Sequence, residues 1–159
     1  MAENRPMQFH LAQFNIARMV GPLDSEAMRG FVEGLEPINA LADRSPGFVW
    51  RLRGEGDTAT DLRPYGDDVL VNLSVWESVE ALKDYTYKSG HLEYLRKRRE
   101  WFAPMRERFL VLWWVPAGYL PSLQEGTERL KHLRTHGPTP FAFTVTQVFP
   151  PEPIEVGKR

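Results

Sequence analysis

The segment Val69–Trp76 (VLVNLSVW) constrains the fold most, because aliphatic residues occupy every second position and a mixture of polar and apolar residues occupies the positions between them. Successive side chains of a strand point to opposite sides of a sheet, so one face of this strand carries only valine and leucine. The other face carries Leu70, Asn72, Ser74 and Trp76. We expect the valine face to pack against helices and the mixed face to look into the interior of a barrel.

The remaining segments predict three further strands, at residues 10–18, 48–53 and 109–115. Apolar residues at three- and four-residue steps predict a helix after Ser25, which Pro37 should kink or end early. Helical sequence follows Ser78 in two pieces, with a break at Ser89-Gly90 and the second piece at 91–102. A capping box of Ser122 and Glu125 begins a last helix that should end at 137–138. Residues 141–149 predict either a last strand or an extended arm.

The order of these elements is β-α-β-β-α-β, followed by a C-terminal helix and arm. This order is typical of an α+β, ferredoxin-like fold, in which an antiparallel sheet carries its two helices on one face. The second face needs a cover, and a second copy of the chain is the usual one, which gives a homodimeric α/β barrel. We expect one domain at residues 1–150 and a flexible tail at 151–159.

Composition excludes several classes of function. The 159 residues include 20 basic and 21 acidic side chains, a balance that argues against nucleic acid as a partner. The chain has no cysteine, which excludes disulfides, thiolate nucleophiles and iron–sulfur clusters. Neither a signal sequence nor an apolar run of membrane-spanning length is evident. We therefore expect a cytoplasmic protein that binds neither membranes nor nucleic acid.

Four polar side chains should meet on the two central strands. Gln13 and Asn15 alternate with apolar residues on the first strand, and Asn72 and Ser74 do so on the third. Buried amides need partners, since an unpaired one costs roughly 1–3 kcal/mol. Two interpretations stay open: a ligand pocket with a few hydrogen-bonding groups, or a cross-strand network that fixes strand register.

The predicted helix at 91–102 carries charge on its apolar side. At about 100° per residue, His91 and Arg98 share one face, and Arg99 lies beside that face. A buried guanidinium needs a partner, which can be a protein carboxylate, backbone carbonyls or an anionic ligand. His91 can serve as a general base, a proton donor or a haem ligand, or can be a hydrogen-bonded histidine of the fold.

Metal binding is not predicted. His132 and His136 have the spacing of two metal ligands on a helix, but no third ligand is evident nearby. The sequence also lacks the glycine-rich, nucleophile-elbow and zinc-protease motifs.

Several segments together resemble a bacterial family of uncharacterised proteins, the domain of unknown function family 3291. These segments cover nearly the whole chain: Leu11–Met19, Ile38–Leu52, Asn72–Ser78, Gly90-His91, Arg98–Phe102, Leu112–Gly118 and Gly137–Phe143. The resemblance implies a dimeric α/β-barrel fold, whose other members include antibiotic-biosynthesis monooxygenases, haem-degrading monooxygenases, and isomerases or cyclases of small hydrophobic molecules. The haem-degrading members carry a helical histidine placed similarly to His91.

We therefore expect an enzyme that acts on a small hydrophobic or aromatic molecule by cofactor-independent monooxygenation, or by a related rearrangement or cyclisation. His91 would move a proton, and Arg98 or Arg99 would stabilise an oxyanion or enolate. One alternative is a haem-binding or haem-degrading protein with His91 as ligand, and another is a non-enzymatic carrier or sensor. The predicted substrate-binding residues are Asn15, Trp50, Asn72, Trp76, Tyr85, Tyr94, Trp101 and Trp114.

Overall fold

A computed structural model describes residues 8–88 and 91–151, without the side chain of His91. The strands are β1 (Phe9–Arg18), β2 (Phe48–Arg51), β3 (Val69–Trp76) and β4 (Leu110–Pro116). The α-helices are α1 (Arg29–Asp43), α2 (Val79–Lys88), α3 (His91–Arg96), α4 (Arg98–Trp101) and α5 (Leu123–His136), and a short 3-10 helix, Glu26–Met28, precedes α1. The predictions for Ser89, Gly90 and most of the tail lie outside the described residues.

Within this part of the chain the strands form one antiparallel sheet in the order β2-β3-β1-β4. The first and third strands are therefore the central neighbours, as the ferredoxin-like order requires. In their register Asn15 lies directly opposite Asn72 and Gln13 opposite Ser74. On its other side Asn15 lies opposite Leu110 of β4. The predicted fold class is confirmed.

The expectation about the two sheet faces was wrong. The valine face packs against Leu130 and Leu133 of α5, while the mixed face lies beneath α1–α4. Alternation sorted the side chains correctly, but the C-terminal helix supplies an apolar cover for the valine face. Gly126 permits this close approach, because a Cβ atom there would lie 2.7 Å from the ring of Phe14.

Two helix boundaries also differ from expectation. Pro37 lies inside α1, which runs on to Asp43, so the predicted early end is wrong, while the alternative, a kink at Pro37, stays a prediction. The predicted helix at 91–102 is two helices, since Lys97 adopts φ −86° and ψ 0° between α3 and α4. A turn links them, in which the Lys97 amide donates to the Tyr94 carbonyl at 3.2 Å.

The C-terminal part follows the predicted signals. The Ser122 hydroxyl accepts a hydrogen bond from the Glu125 amide at 3.1 Å, and the Glu125 carboxylate accepts one from the Ser122 amide at 3.0 Å. This confirms the capping box of α5, which ends before Gly137 with its φ of 76°. Beyond it the chain forms an arm, in which Phe143 is buried and exchanges two backbone hydrogen bonds with Leu112.

Among the helices of the described residues, none has the length and apolarity to cross a membrane.

Candidate functional site

A cavity of about 520 Å³ lies between the mixed face of the sheet and helices α1–α4. This volume falls within the range of roughly 300–1,000 Å³ that small-molecule sites occupy. The sheet contributes polar groups to the wall, and the helices contribute mostly aliphatic and aromatic side chains. Asn72 is exposed although it lies on a central strand beneath the helices, because the cavity reaches it.

The predicted polar cluster forms at the floor of this cavity. The Gln13 amide nitrogen donates to the carbonyl of Asn72 and, at 3.0 Å, to the hydroxyl of Ser74. The same hydroxyl accepts a hydrogen bond from the Trp76 indole at 2.9 Å. Asn15 donates to the Gln13 carbonyl at 2.8 Å and, at 3.4 Å, to the Asn72 carbonyl. The side chains therefore pair across β1 and β3, and this pairing satisfies the buried groups of Gln13 and Ser74.

Arg98 places a positive charge in the cavity wall. Its guanidinium carbon lies 4.7 Å from the ring centroid of Phe109 and 5.4 Å from that of Phe102. Across the described residues, its guanidinium has neither an ion-pair partner nor a hydrogen-bond acceptor. Burial lowers the pKa of Arg98 from its ordinary value, the direction expected for a cation that loses water without gaining an anion. The aromatic contacts offset part of this cost.

A second guanidinium, that of Arg51, also lines the cavity but is fully paired. It donates to the Asp43 carboxylate at 2.8 and 3.2 Å and to the Asp57 carboxylate at 3.1 Å. Desolvation opposes the charge, but these hydrogen bonds and charges outweigh it and raise the pKa of Arg51. Arg51 thus links the loop after β2 to the end of α1, whereas the charge of Arg98 is available to a ligand in the cavity.

Aromatic side chains from α2–α4 form the wall opposite the sheet. The ring centroid of Tyr85 on α2 lies 5.0 Å from that of Trp76, which belongs to β3. The ring centroids of Tyr94 and Trp101 lie 4.9 Å apart. Desolvation by burial raises the pKa of both tyrosines above their usual range. Both phenols are therefore protonated at neutral pH, and burial disfavours the phenolate that either would need to act as a base.

Two glycines of α1 set the position of this wall. A Cβ atom on Gly34 would overlap the Tyr94 ring, and one on Gly30 would lie 3.3 Å from the Trp101 ring. The Tyr94 hydroxyl donates to the Phe31 carbonyl in the same stretch of α1. The glycines thus form a groove in α1 that receives the two rings.

The structure brings together most of the predicted site residues. Those that line the cavity are Asn15, Asn72, Trp76, Tyr85, Tyr94, Arg98 and Trp101. Three others lie elsewhere: Trp50 packs against the valine-face core, Trp114 donates to the Phe149 carbonyl at 2.7 Å, and Arg99 is exposed. His91 begins α3, but its side chain lies outside the described residues.

Several residues of the cavity wall were not predicted from the sequence. Arg51, Thr58 and Thr60 come from the end of β2 and the loop after it, and Phe109 precedes β4. A loop carries no periodicity, so no pattern in the sequence indicates that residues 58–60 line the cavity. The acidic residues Asp43 and Asp57, either side of Arg51, were a signal for a paired arginine.

Within the described residues, no group of three or more histidine and acidic side chains is arranged to hold a metal ion. The rings of His132 and His136 lie 4.4 Å apart on α5. Desolvation, followed by the charges of His136 and Arg129, lowers the pKa of His132.

Solved structures similar to this one include SnoaB, a cofactor-independent oxygenase from Streptomyces nogalater. It is 20% identical, and the alignment covers 71% of this chain and 98% of SnoaB with a TM-score of 0.46. A putative antibiotic biosynthesis monooxygenase from Chloroflexus aurantiacus is 13% identical over 72% of this chain and 98% of its own, with a TM-score of 0.44. A protein from Pseudomonas aeruginosa is 11% identical over 74% of this chain and 100% of its own, with a TM-score of 0.48.

No curated protein matches the chain in sequence. The resemblance carried by its motifs is confirmed by a family model described as a domain of unknown function (DUF3291), which matches residues 10–158. The chain belongs to this family.

Proposed function

We propose that the chain is an enzyme that acts on a small hydrophobic or aromatic molecule in the cavity, by cofactor-independent monooxygenation or a related rearrangement or cyclisation. The observation that carries the proposal is the guanidinium of Arg98, which lies in a mostly apolar wall and has no anionic partner among the residues that the structure describes. A substrate that ionises in the cavity would supply that anion.

The placement of Arg98 favours an anion that forms during the reaction. Preorganised charge stabilises a developing oxyanion most where water is excluded. Two aromatic rings hold the guanidinium and exclude water from two sides. Phenols and enolisable ketones become reactive towards dioxygen when they lose a proton, so a cation that stabilises the phenolate or enolate promotes that step.

The proposed oxygenation balances without a cofactor. A base removes a proton from an activated CH₂ group, and the resulting carbanion, stabilised as its enolate, gives its electrons to O₂ and forms a carbon–oxygen bond. Protonation gives a hydroperoxide, which loses water and leaves a carbonyl, so one oxygen atom enters the product and the other leaves as water. The role of His91 as the base remains a prediction from the sequence.

Oxygen consumption tests the proposal directly. The purified chain, without added flavin, haem or metal, is given a panel of phenols and enolisable aromatic ketones such as 2-tetralone in an oxygen electrode. With ¹⁸O₂, we expect one labelled atom in the product and one in water. Arg98→Met should lower the rate by about a hundredfold or more, whereas Lys97→Met, which removes a neighbouring exposed cation, should not change it.

Three outcomes would count against this function. Tight binding of a panel compound without oxygen uptake or any chemical change would indicate a carrier or sensor. A Soret band after haem titration, lost in His91→Ala, would indicate haem binding. Equal rates for wild type and Arg98→Met would show that the guanidinium does not act on the reacting group.

A further inference from the structure

We infer that Asn15 and Asn72 together recognise a hydrogen-bond donor and an acceptor that lie side by side on the ligand. The substrate class is then an aromatic compound with a hydroxyl or N–H group next to a carbonyl, such as a hydroxy ketone, an enolised diketone or a lactam. This inference rests on the proposed function, because it names the substrate of the same cavity.

The hydrogen bonds of the cluster determine which atoms remain available. Asn15 uses its amide nitrogen towards Gln13 at 2.8 Å and towards Asn72 at 3.4 Å. Asn72 uses its carbonyl oxygen, which accepts from both Asn15 and Gln13. The carbonyl of Asn15 and the NH₂ group of Asn72 make no hydrogen bond within the described residues, and both side chains line the cavity. One hydrogen-bond acceptor, the Asn15 carbonyl, and one donor, the Asn72 NH₂ group, are therefore available to a ligand in the cavity.

The same pair results if the three amides are assigned in the opposite sense. The Gln13 carbonyl would then accept from Asn72 and Ser74, and the Gln13 nitrogen would donate to the Asn15 carbonyl. The NH₂ group of Asn15 and the carbonyl of Asn72 would face the cavity instead. One donor and one acceptor face the ligand in either assignment, since an amide that turns one group inward must turn the other outward.

Strand register places these two groups next to each other and near Arg98. Asn72 and Asn15 are direct partners across β3 and β1, so their Cβ atoms are about 4.5–5.5 Å apart. Asn15 is in turn opposite Leu110 of β4. Arg98 stacks over Phe109, the residue before Leu110. A ligand hydroxyl bound to the two asparagines thus lies on the same cross-strand row as Leu110, whose neighbour Phe109 contacts Arg98.

Matched bicyclic probes test this inference without turnover. 2-Quinolone has an N–H donor beside a carbonyl acceptor, N-methyl-2-quinolone keeps the carbonyl but lacks the donor, and 2-methylnaphthalene has neither. By calorimetry we expect 2-quinolone to bind wild type about tenfold more tightly than its N-methyl analogue. Asn15→Leu and Asn72→Leu should each remove this preference, while 2-methylnaphthalene should bind these variants at least as well as wild type.

Equal binding of the two quinolones to wild type would overturn the inference, and so would failure of wild type to bind either one. This wild-type comparison stands even if a variant does not fold. Oxygen uptake is a separate readout. A preference for the lactam without any oxygen uptake would leave the inference intact and refute the oxygenase. Oxygen uptake without this preference would support the oxygenase and refute the inference.

Discussion

Replacing each of the two cavity arginines by methionine should affect stability in opposite ways. Both side chains line the cavity, but Arg51 is paired with carboxylates, whereas Arg98 has no carboxylate partner in the described part of the chain. Methionine keeps much of the aliphatic volume and removes the charge. Arg51→Met and Arg98→Met thus separate a cation that the fold requires from one that the fold tolerates.

The expected loss for Arg51→Met follows from its burial and its partners. Its side chain is 6% exposed, and breaking a buried pair costs about 3–5 kcal/mol. Asp43 and Asp57 are 35% and 61% exposed, so water can reach both carboxylates once the cation is gone. We therefore expect the lower end, a loss of about 3 kcal/mol in the free energy of unfolding. At about 2–4 °C per kcal/mol for a chain of this size, Tm should fall by about 6–12 °C.

Arg98→Met should change the free energy of unfolding by about 1 kcal/mol or less. The substitution loses two aromatic contacts of about 0.5–1 kcal/mol each, but it also removes a desolvated charge that has no partner in the described residues. Urea unfolding of both variants, followed by tryptophan fluorescence, measures the difference. If Arg98→Met is destabilised as much as Arg51→Met, Arg98 serves the fold, and the main support for the proposed function is lost.

Four further outcomes are expected. Gly126→Ala should lower the free energy of unfolding by about 2 kcal/mol, because its Cβ atom would overlap a buried phenylalanine ring; Gly56→Ala, which meets nothing within 4 Å, should stay within about 0.5 kcal/mol. Gly34→Ala should displace the ring of Tyr94 and weaken ligand binding, measured by calorimetry with the quinolone probes. His91→Ala should abolish turnover and leave Tm nearly unchanged, and a large fall in Tm with unchanged activity would contradict a role as base. Light scattering should give twice the mass of the chain, because the family resemblance implies a dimeric barrel even though α5 already packs on the valine face of the sheet; a monomeric mass would exclude the dimer.

Local patterns predicted the strands and the polar cluster well. Val69–Trp76 has the predicted bounds because its alternation repeats over the whole strand. The pairing of Asn15 with Asn72 followed from alternation together with strand order, since the ferredoxin-like fold makes β1 and β3 neighbours. Side-chain alternation is a short-range rule and strand order is a topological one, and both can be applied to a single sequence.

The errors arose where distant segments decide the outcome. Nothing in β3 indicates whether α5 or α1 covers its valine face, because both helices offer apolar residues at suitable spacing. The break at Lys97 likewise depends on tertiary contacts, since Tyr94 and Trp101 both pack against Phe31 of α1. An uninterrupted helix rotates successive side chains by about 100° per residue, and the turn at Lys97 changes that progression. It leaves Arg99 exposed, where a continuous helix would place it beside the apolar stripe.

The two interpretations of the polar cluster describe different atoms of the same side chains. Gln13 donates across the strands to Asn72 and Ser74 and accepts from Asn15 on its own strand, so it belongs to the network that fixes register. Asn15 and Asn72 use one half of each amide in that network and turn the other half to the cavity. The network thereby limits the rotation of the groups that face the ligand, which lowers the entropy lost on binding. A cross-strand network and a binding site are therefore not alternatives here, because the pairing between strands is what orients the recognition groups.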